Sequence, residues 1–133
     1  MFEWNQDFSV GVPSIDAQHQ TLFAIARELY DAMNAGKGRS VVGRVLDRLV
    51  QYTAMHFAHE ERLMRQSNYP GLQKHQEEHA GLTIKVLEFQ RDYRTGNVNL
   101  TVQLLLFLKH WLATHIPESD FAYAPYVKAR IVA

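Results

Sequence analysis

The stretch from Val42 to Leu63, VGRVLDRLVQYTAMHFAHEERL, decides the fold. Its apolar residues recur at Val42, Leu46 and Leu49, in alternating steps of four and three, which is the period of one face of an α-helix. The same face continues through Thr53, His56 and Glu60 before it reaches Leu63. A seam that turns polar without changing period is a helix that buries ionisable groups at its far end. Such burial costs several kcal/mol for each group unless something compensates. A metal cluster is the usual compensation.

Three further seams flank this one. The first helix is expected over residues 16–34, with Ser14 or Asp16 as cap, and its seam reads Ile15, His19, Leu22, Ala26, Leu29, Met33. The second is capped by Ser40 and continues to about residue 65. The third is entered through Pro70, ends near residue 94 before the turn at 95–97, and reads Leu72, His75, His79, Leu82, Val86, Phe89, Tyr93. The fourth covers residues 99–116, with seam Thr101, Leu104, Leu108, Trp111, His115, and Pro117 ends or kinks it. Beyond it a short helix or extended tail is expected, interrupted by Pro125.

Short connections between long helices make antiparallel neighbours. The expected fold is therefore all-α: an antiparallel up-down-up-down four-helix bundle with an N-terminal arm and a short C-terminal segment. His19 lies near the start of the first helix, and His56 and Glu60 toward the end of the second. His75 and His79 lie near the start of the third, and His115 at the end of the fourth. That alternation gathers all of them at one end of the bundle.

Composition narrows the function classes. The 133 residues suit one domain over 1–133 with a real hydrophobic core. Hydrophobic content of 47% and charged content of 21% are those of a soluble globular protein. Zero formal net charge leaves no electrostatic footprint for nucleic acid or an anionic membrane. The absence of cysteine removes disulfides, iron–sulfur clusters and thiolate ligands, so any metal is held by nitrogen and oxygen. The first twelve residues do not read as a secretory signal, and the uncharged stretch 97–108 is too short to span a bilayer. A cytoplasmic location without membrane insertion is expected.

His56 and Glu60, like His75 and His79, stand four residues apart and so share a helix face one turn apart. Imidazole and carboxylate suit iron, zinc, manganese or copper. Seven candidate ligands exceed the four of a tetrahedral zinc site, so two metals sharing bridging carboxylates is the economical reading. Asp120 stands off the helical spacing that the other six share. It follows His115 by five residues, about 140° around an ideal helix. It converges with His115 only through the break at Pro117 or by reaching the second metal; otherwise Ser119 and Asp120 cap the terminal segment, and Glu118 competes as a carboxylate. His59 and His110 lie beside the seams and read as partly exposed, or as groups that support the ligands from outside, rather than as ligands. Trp111, Leu112, Ile116, Phe57 and Leu22 read as core, some of them as an apolar wall around an open metal position.

The motifs, taken in order, carry a resemblance. They are Trp4, Gly11-Val12 and Ile15-Asp16-x-x-His19; His56-Phe57-x-x-Glu60-Glu61; Tyr69-Pro70-x-x-x-x-His75-x-x-Glu78-His79; and Trp111-Leu112-x-x-His115-Ile116-x-x-x-Asp120. Together they resemble the hemerythrin family in its single-domain bacterial form. The resemblance implies two iron ions (Fe2+/Fe3+) with a bridging oxo or hydroxo group. His75, His79 and His115 would hold one iron, His19 and His56 the other, and Glu60 and Asp120 would bridge them. Six-coordinate irons offer about twelve positions, and this set leaves one open, on the iron of His19 and His56. Dioxygen is implied to bind there reversibly, for storage, transport or delivery, behind a wall of Trp111, Leu112 and Ile116. An oxygen-consuming enzyme is a candidate recipient, and a monomer without enzymatic activity is expected.

Three alternatives stand beside this reading. A di-iron oxidase or peroxidase of low activity is one, although ferritin-like enzymes use Glu-x-x-His motifs that this sequence lacks. An oxygen or redox sensor is the second, and a mononuclear zinc or structural site the third.

Overall fold

A computed structural model describes residues 2–96 and 99–132; Met1, Asn97, Val98 and Ala133, including part of the expected third turn, lie outside the described residues. The helices are α1 (Pro13–Asn34), α2 (Gly38–Gln66), α3 (Leu72–Arg94), α4 (Leu100–His115) and α5 (Phe121–Val132). A 3-10 turn at Gln6–Phe8 precedes α1, and a π-helical turn at Ile116–Asp120 joins α4 to α5. Helices α1 to α4 form the expected four-helix bundle, and no strand occurs among the described residues. None of these helices is long and apolar enough to cross a membrane.

Two apolar clusters form the core: the smaller joins Ile15 and Met64 to Tyr123 and Val127, and the larger runs through the bundle. It joins Leu22, Ala26 and Leu29 of α1, Val42, Leu46 and Leu49 of α2, Val86 and Phe89 of α3, and Leu104 and Leu108 of α4. The buried stripes of α1, α2 and α4 are wider than their seams: Phe23 and Ile25, Val45 and Phe57, and Leu105 and Leu112 add a second row, as a helix with several neighbours requires. The seams fade at their ends. Tyr93 is 45% exposed; it lies across Gly43, where a Cβ would come within 2.6 Å of the phenol ring. Leu63 is only partly buried, and the neighbouring Met64 takes the interior place.

The helix starts differ from the expected caps. α1 begins at Pro13, whose fixed φ and missing N–H suit the first helical position, so Ser14 and Asp16 fall inside the helix. The Asp16 carboxylate accepts instead from the Val10 N–H at 2.9 Å and the Ser9 hydroxyl at 2.6 Å, which ties down the N-terminal arm. Gly11 turns that arm with φ +75°, and a Cβ there would meet Lys128 Cδ at 2.7 Å. α2 begins at Gly38, so Ser40 lies in its first turn and donates to the Lys37 carbonyl at 2.8 Å rather than capping.

The junction of α4 and α5 positions the site. Pro117 lacks an N–H, so the α-helical bond to the carbonyl four residues earlier cannot form there. The chain widens instead, and the Phe121 N–H reaches the Ile116 carbonyl five residues back. In an i→i+5 turn His115 and Asp120 return to one face, which an ideal α-helix forbids. Pro125 does not interrupt the terminal segment as expected; it lies inside α5. The carbonyl it leaves unbonded is that of Phe121, at the already widened junction, and the buried Tyr123 and Val127 on either side hold the helix in place.

Candidate metal centre

All seven expected metal-facing side chains meet at one end of the bundle. His19 comes from the start of α1, His56 and Glu60 from the C-terminal half of α2, His75 and His79 from the start of α3, His115 from the end of α4, and Asp120 from the π turn. Each is buried, from Glu60 and Asp120 at 0% exposed to His115 at 9%. Two donor groups, each compact enough to hold an ion, result: Glu60, His75, His79, His115 and Asp120 in one, and His19, His56 and Glu60 in the other.

Both carboxylates face both groups of histidines. Asp120 Oδ2 stands 3.1 Å from His19 Nε2, while Oδ1 stands 3.1 Å from the Nε2 atoms of His75 and His115. Glu60 Oε1 lies 2.8 Å from His56 Nε2 and 3.5 Å from His79 Nε2, and its Oε2 lies 3.9 Å from His19 Nε2. The rings cluster closely, with centroids 4.8 Å apart for His19 and His56 and 4.4 Å apart for His75 and His79.

This arrangement makes no sense as protein packing alone. The Nε2 atoms of His19, His75, His79 and His115, Glu60 Oε1 and both Asp120 oxygens are buried without a hydrogen-bond partner. Buried polar atoms are paired in nearly every folded protein, so a cluster of orphans pointing at one another calls for a positive occupant. Nitrogen and carboxylate donors without sulfur fit iron among other first-row metals. Without a metal, protons take over the role. Burial pushes His19 and His115 down, but the adjoining Asp120 outweighs it and holds both imidazoles above the usual histidine range. Burial and the Asp120 charge push Glu60 up, yet His56 and His79 prevail and hold it at about 2. Burial likewise opposes ionisation of Asp120, and the adjoining imidazoles of His115, His19 and His75 keep it well below the usual carboxylate range.

A second ring of residues, which the seam analysis did not single out, supports the first. Gln18 Oε1 lies 2.7 Å from His56 Nδ1 and Glu61 Oε2 lies 2.8 Å from His79 Nδ1, so each Nδ1 carries the proton and Nε2 is left as an inward lone pair. Glu78 Oε2 stands 3.4 Å from His115 Nδ1. Tyr123, from α5, is fully buried and donates its hydroxyl to Glu60 Oε2. Burial, together with the Glu60 and Asp120 charges, pushes that phenol well above its usual range. Glu61 and Glu78 are visible in sequence as carboxylates beside seam residues; Tyr123 carries no comparable signal, because its helix lies beyond Pro117.

The remaining expectations separate cleanly. His59 is half-buried and outside the cluster: Arg62 donates to its Nδ1 at 2.9 Å, so its Nε2–H faces Ser14 Oγ at 2.9 Å. His110 is exposed. Glu118 is exposed as well, leaving Asp120 as the inward carboxylate of the turn. Trp111, Leu112 and Ile116 are buried in the main core with Phe57, whose ring stacks on His79 at 3.9 Å and meets Trp111 edge-on at 5.9 Å.

Comparison with known proteins agrees with this geometry. Residues 10–127 match the hemerythrin HHE cation binding domain family. The chain is 34% identical to the bacteriohemerythrin of Stenotrophomonas maltophilia, over 96% of this chain and 82% of that protein. It is 32% identical to the bacteriohemerythrin of Methylococcus capsulatus, over 92% of this chain and 93% of that protein. A crystal structure of wild-type hemerythrin superposes with a TM-score of 0.85 at 32% identity, covering 94% of this chain and 96% of that one. The chain belongs to the hemerythrin family.

Proposed function

We propose that this hemerythrin-family chain binds dioxygen reversibly at a pair of non-haem irons, for oxygen storage, transport or delivery. The observation that carries the reading is the set of buried, unpartnered nitrogen and oxygen atoms converging from four helices and the π turn. In this reading His75, His79 and His115 would hold one iron and His19 and His56 the other, with Glu60 and Asp120 available to both. Iron held there would supply the electrons that reversible dioxygen binding requires. The chain's own residues supply position and insulation. Nδ1 hydrogen bonds from His56 to Gln18 and from His79 to Glu61 hold those two rings in orientation. Tyr123 holds the Glu60 carboxylate from the side away from His56. Trp111, Leu112 and Ile116 form an apolar wall that keeps water out and disfavours the escape of an anion, which such surroundings solvate poorly.

Five histidines against two carboxylates favour binding over oxidative turnover, because the ferritin-like oxidases are built on carboxylate-rich sets. Iron analysis, with visible spectra before and after repeated deoxygenation, tests the proposal. Two irons per chain and a spectrum that returns through several cycles are expected. A single zinc per chain, or irreversible oxidation on first contact with dioxygen, overturns it.

A further inference from the structure

The two halves of the centre differ behind their inward-facing nitrogens. His79 Nδ1 is backed by the Glu61 carboxylate at 2.8 Å and His115 Nδ1 by the Glu78 carboxylate at 3.4 Å. Glu78 Oε2 is enclosed and faces His115 as a charge at ion-pair distance, without a hydrogen bond. In the other half no carboxylate meets an Nδ1: Asp16, whose charge reaches His19, is hydrogen-bonded to Ser9 and Val10 instead. His56 Nδ1 faces the neutral Gln18 amide at 2.7 Å, whose nitrogen turns to Met55 Sδ at 3.6 Å. His19 Nδ1 is buried with no hydrogen-bond partner.

A carboxylate accepting the Nδ1 proton draws it outward and enriches the lone pair at Nε2, whereas an amide does so weakly and an unpartnered Nδ1 not at all. From this difference we infer that Glu61 and Glu78 are positioning residues that make His79 and His115 the stronger metal donors, so that the three-histidine position retains its ion more tightly through charge as well as ligand number. The inference rests on the ligand reading above. It deepens that reading by assigning the asymmetry to two partly exposed glutamates and one glutamine outside the ligand set. The position that empties first is then the one held by His19 and His56, backed by Gln18 alone.

Ferrous-loaded full-length chain, kept anaerobic and titrated with the iron chelator ferrozine, tests this, with iron Mössbauer spectra identifying which position remains filled. The parent chain is expected to release iron in two separable steps. Glu61→Gln keeps an acceptor for His79 Nδ1 and removes only the charge. It should weaken the tighter step by roughly ten-fold, the low end for partners of this kind, and leave the weaker step in place. Glu78→Gln should act on the same step. Gln18→Glu, the reverse exchange, should strengthen the weaker step by a factor of about ten. Glutamine variants that match the parent in both steps, or shift both equally, overturn the inference, as does a Gln18→Glu chain with an unchanged weaker step. A parent chain that fails to hold two irons overturns the ligand reading and this inference together, whereas two irons with indifferent variants overturn this inference alone.

Discussion

Leu29, Val42, Leu46 and Leu104 close one end of the bundle with hydrocarbon, while at the other end the same helix faces carry His19, His56, Glu60 and His115. Both ends are equally buried and both follow one helical period. They differ in what completes them. The hydrocarbon end is finished when the helices pack, because dispersion and the hydrophobic effect need no partner from outside. The histidine end gathers two carboxylates and several orphaned nitrogens, and packing alone leaves it unsatisfied. Stability at the first end is a property of the chain; at the second it is conditional on a cation.

That contrast can be broken most forcefully at Glu60. Glu60→Ala should lose most of the iron and be about 3–5 kcal/mol less stable than the iron-loaded parent, since it strips the carboxylate from a buried charge cluster; His79→Ala should also lose most of its iron. Metal analysis and urea unfolding check both results, and full iron loading in either variant would count against the assignment. Leu46→Ala at the hydrocarbon end should cost about 2–5 kcal/mol through the cavity it leaves. The decisive readout there is iron content, which should match the parent in the folded fraction. An iron deficit in Leu46→Ala would mean the two ends are not independent.

A finer test is Tyr123→Phe. It removes the donor to Glu60 Oε2 and should cost about 1–3 kcal/mol, read as a lower urea midpoint with iron still bound. The smallest effect is expected from pH. In metal-free protein, His19 and His115 sit above the usual histidine range, so the stability they confer is complete below pH about 6.5 and fades as pH rises through their raised values. Glu60, at about 2, and Asp120 act in the opposite sense: their contribution is present above pH about 4 and is lost as pH falls toward 2. The melting temperature of metal-free protein should therefore decline from pH 6.5 upward. Iron-loaded protein should not follow it, because the metal replaces those protons. Parallel curves for the two forms would remove the link between proton and metal.

How much of the site could be read in advance depended on whether a residue lay within a regular helix. His19, His56, Glu60, His75, His79 and His115 fall on seam positions, so periodicity alone places them inward and at one end. Asp120 does not: its separation from His115 points it away on an ideal helix, and only the widening at Pro117 brings the two to one face. Tyr123 was illegible for the same reason, since its register is inherited from that turn. The caps expected at Ser14 and Ser40 failed because Pro13 and Gly38 open their helices earlier, releasing Asp16 to hold the arm.

Alternating polarity along four helical periods is a local property, written in residue order, and it was enough by itself to determine a bundle with ionisable groups buried at one end. The orientation of each imidazole, the proton left on its outer nitrogen and the return of Asp120 across a five-residue turn belong to contacts between helices. Those contacts exist only once the chain has folded, because hydrogen bonding and side-chain direction depend on distances that linear spacing does not specify.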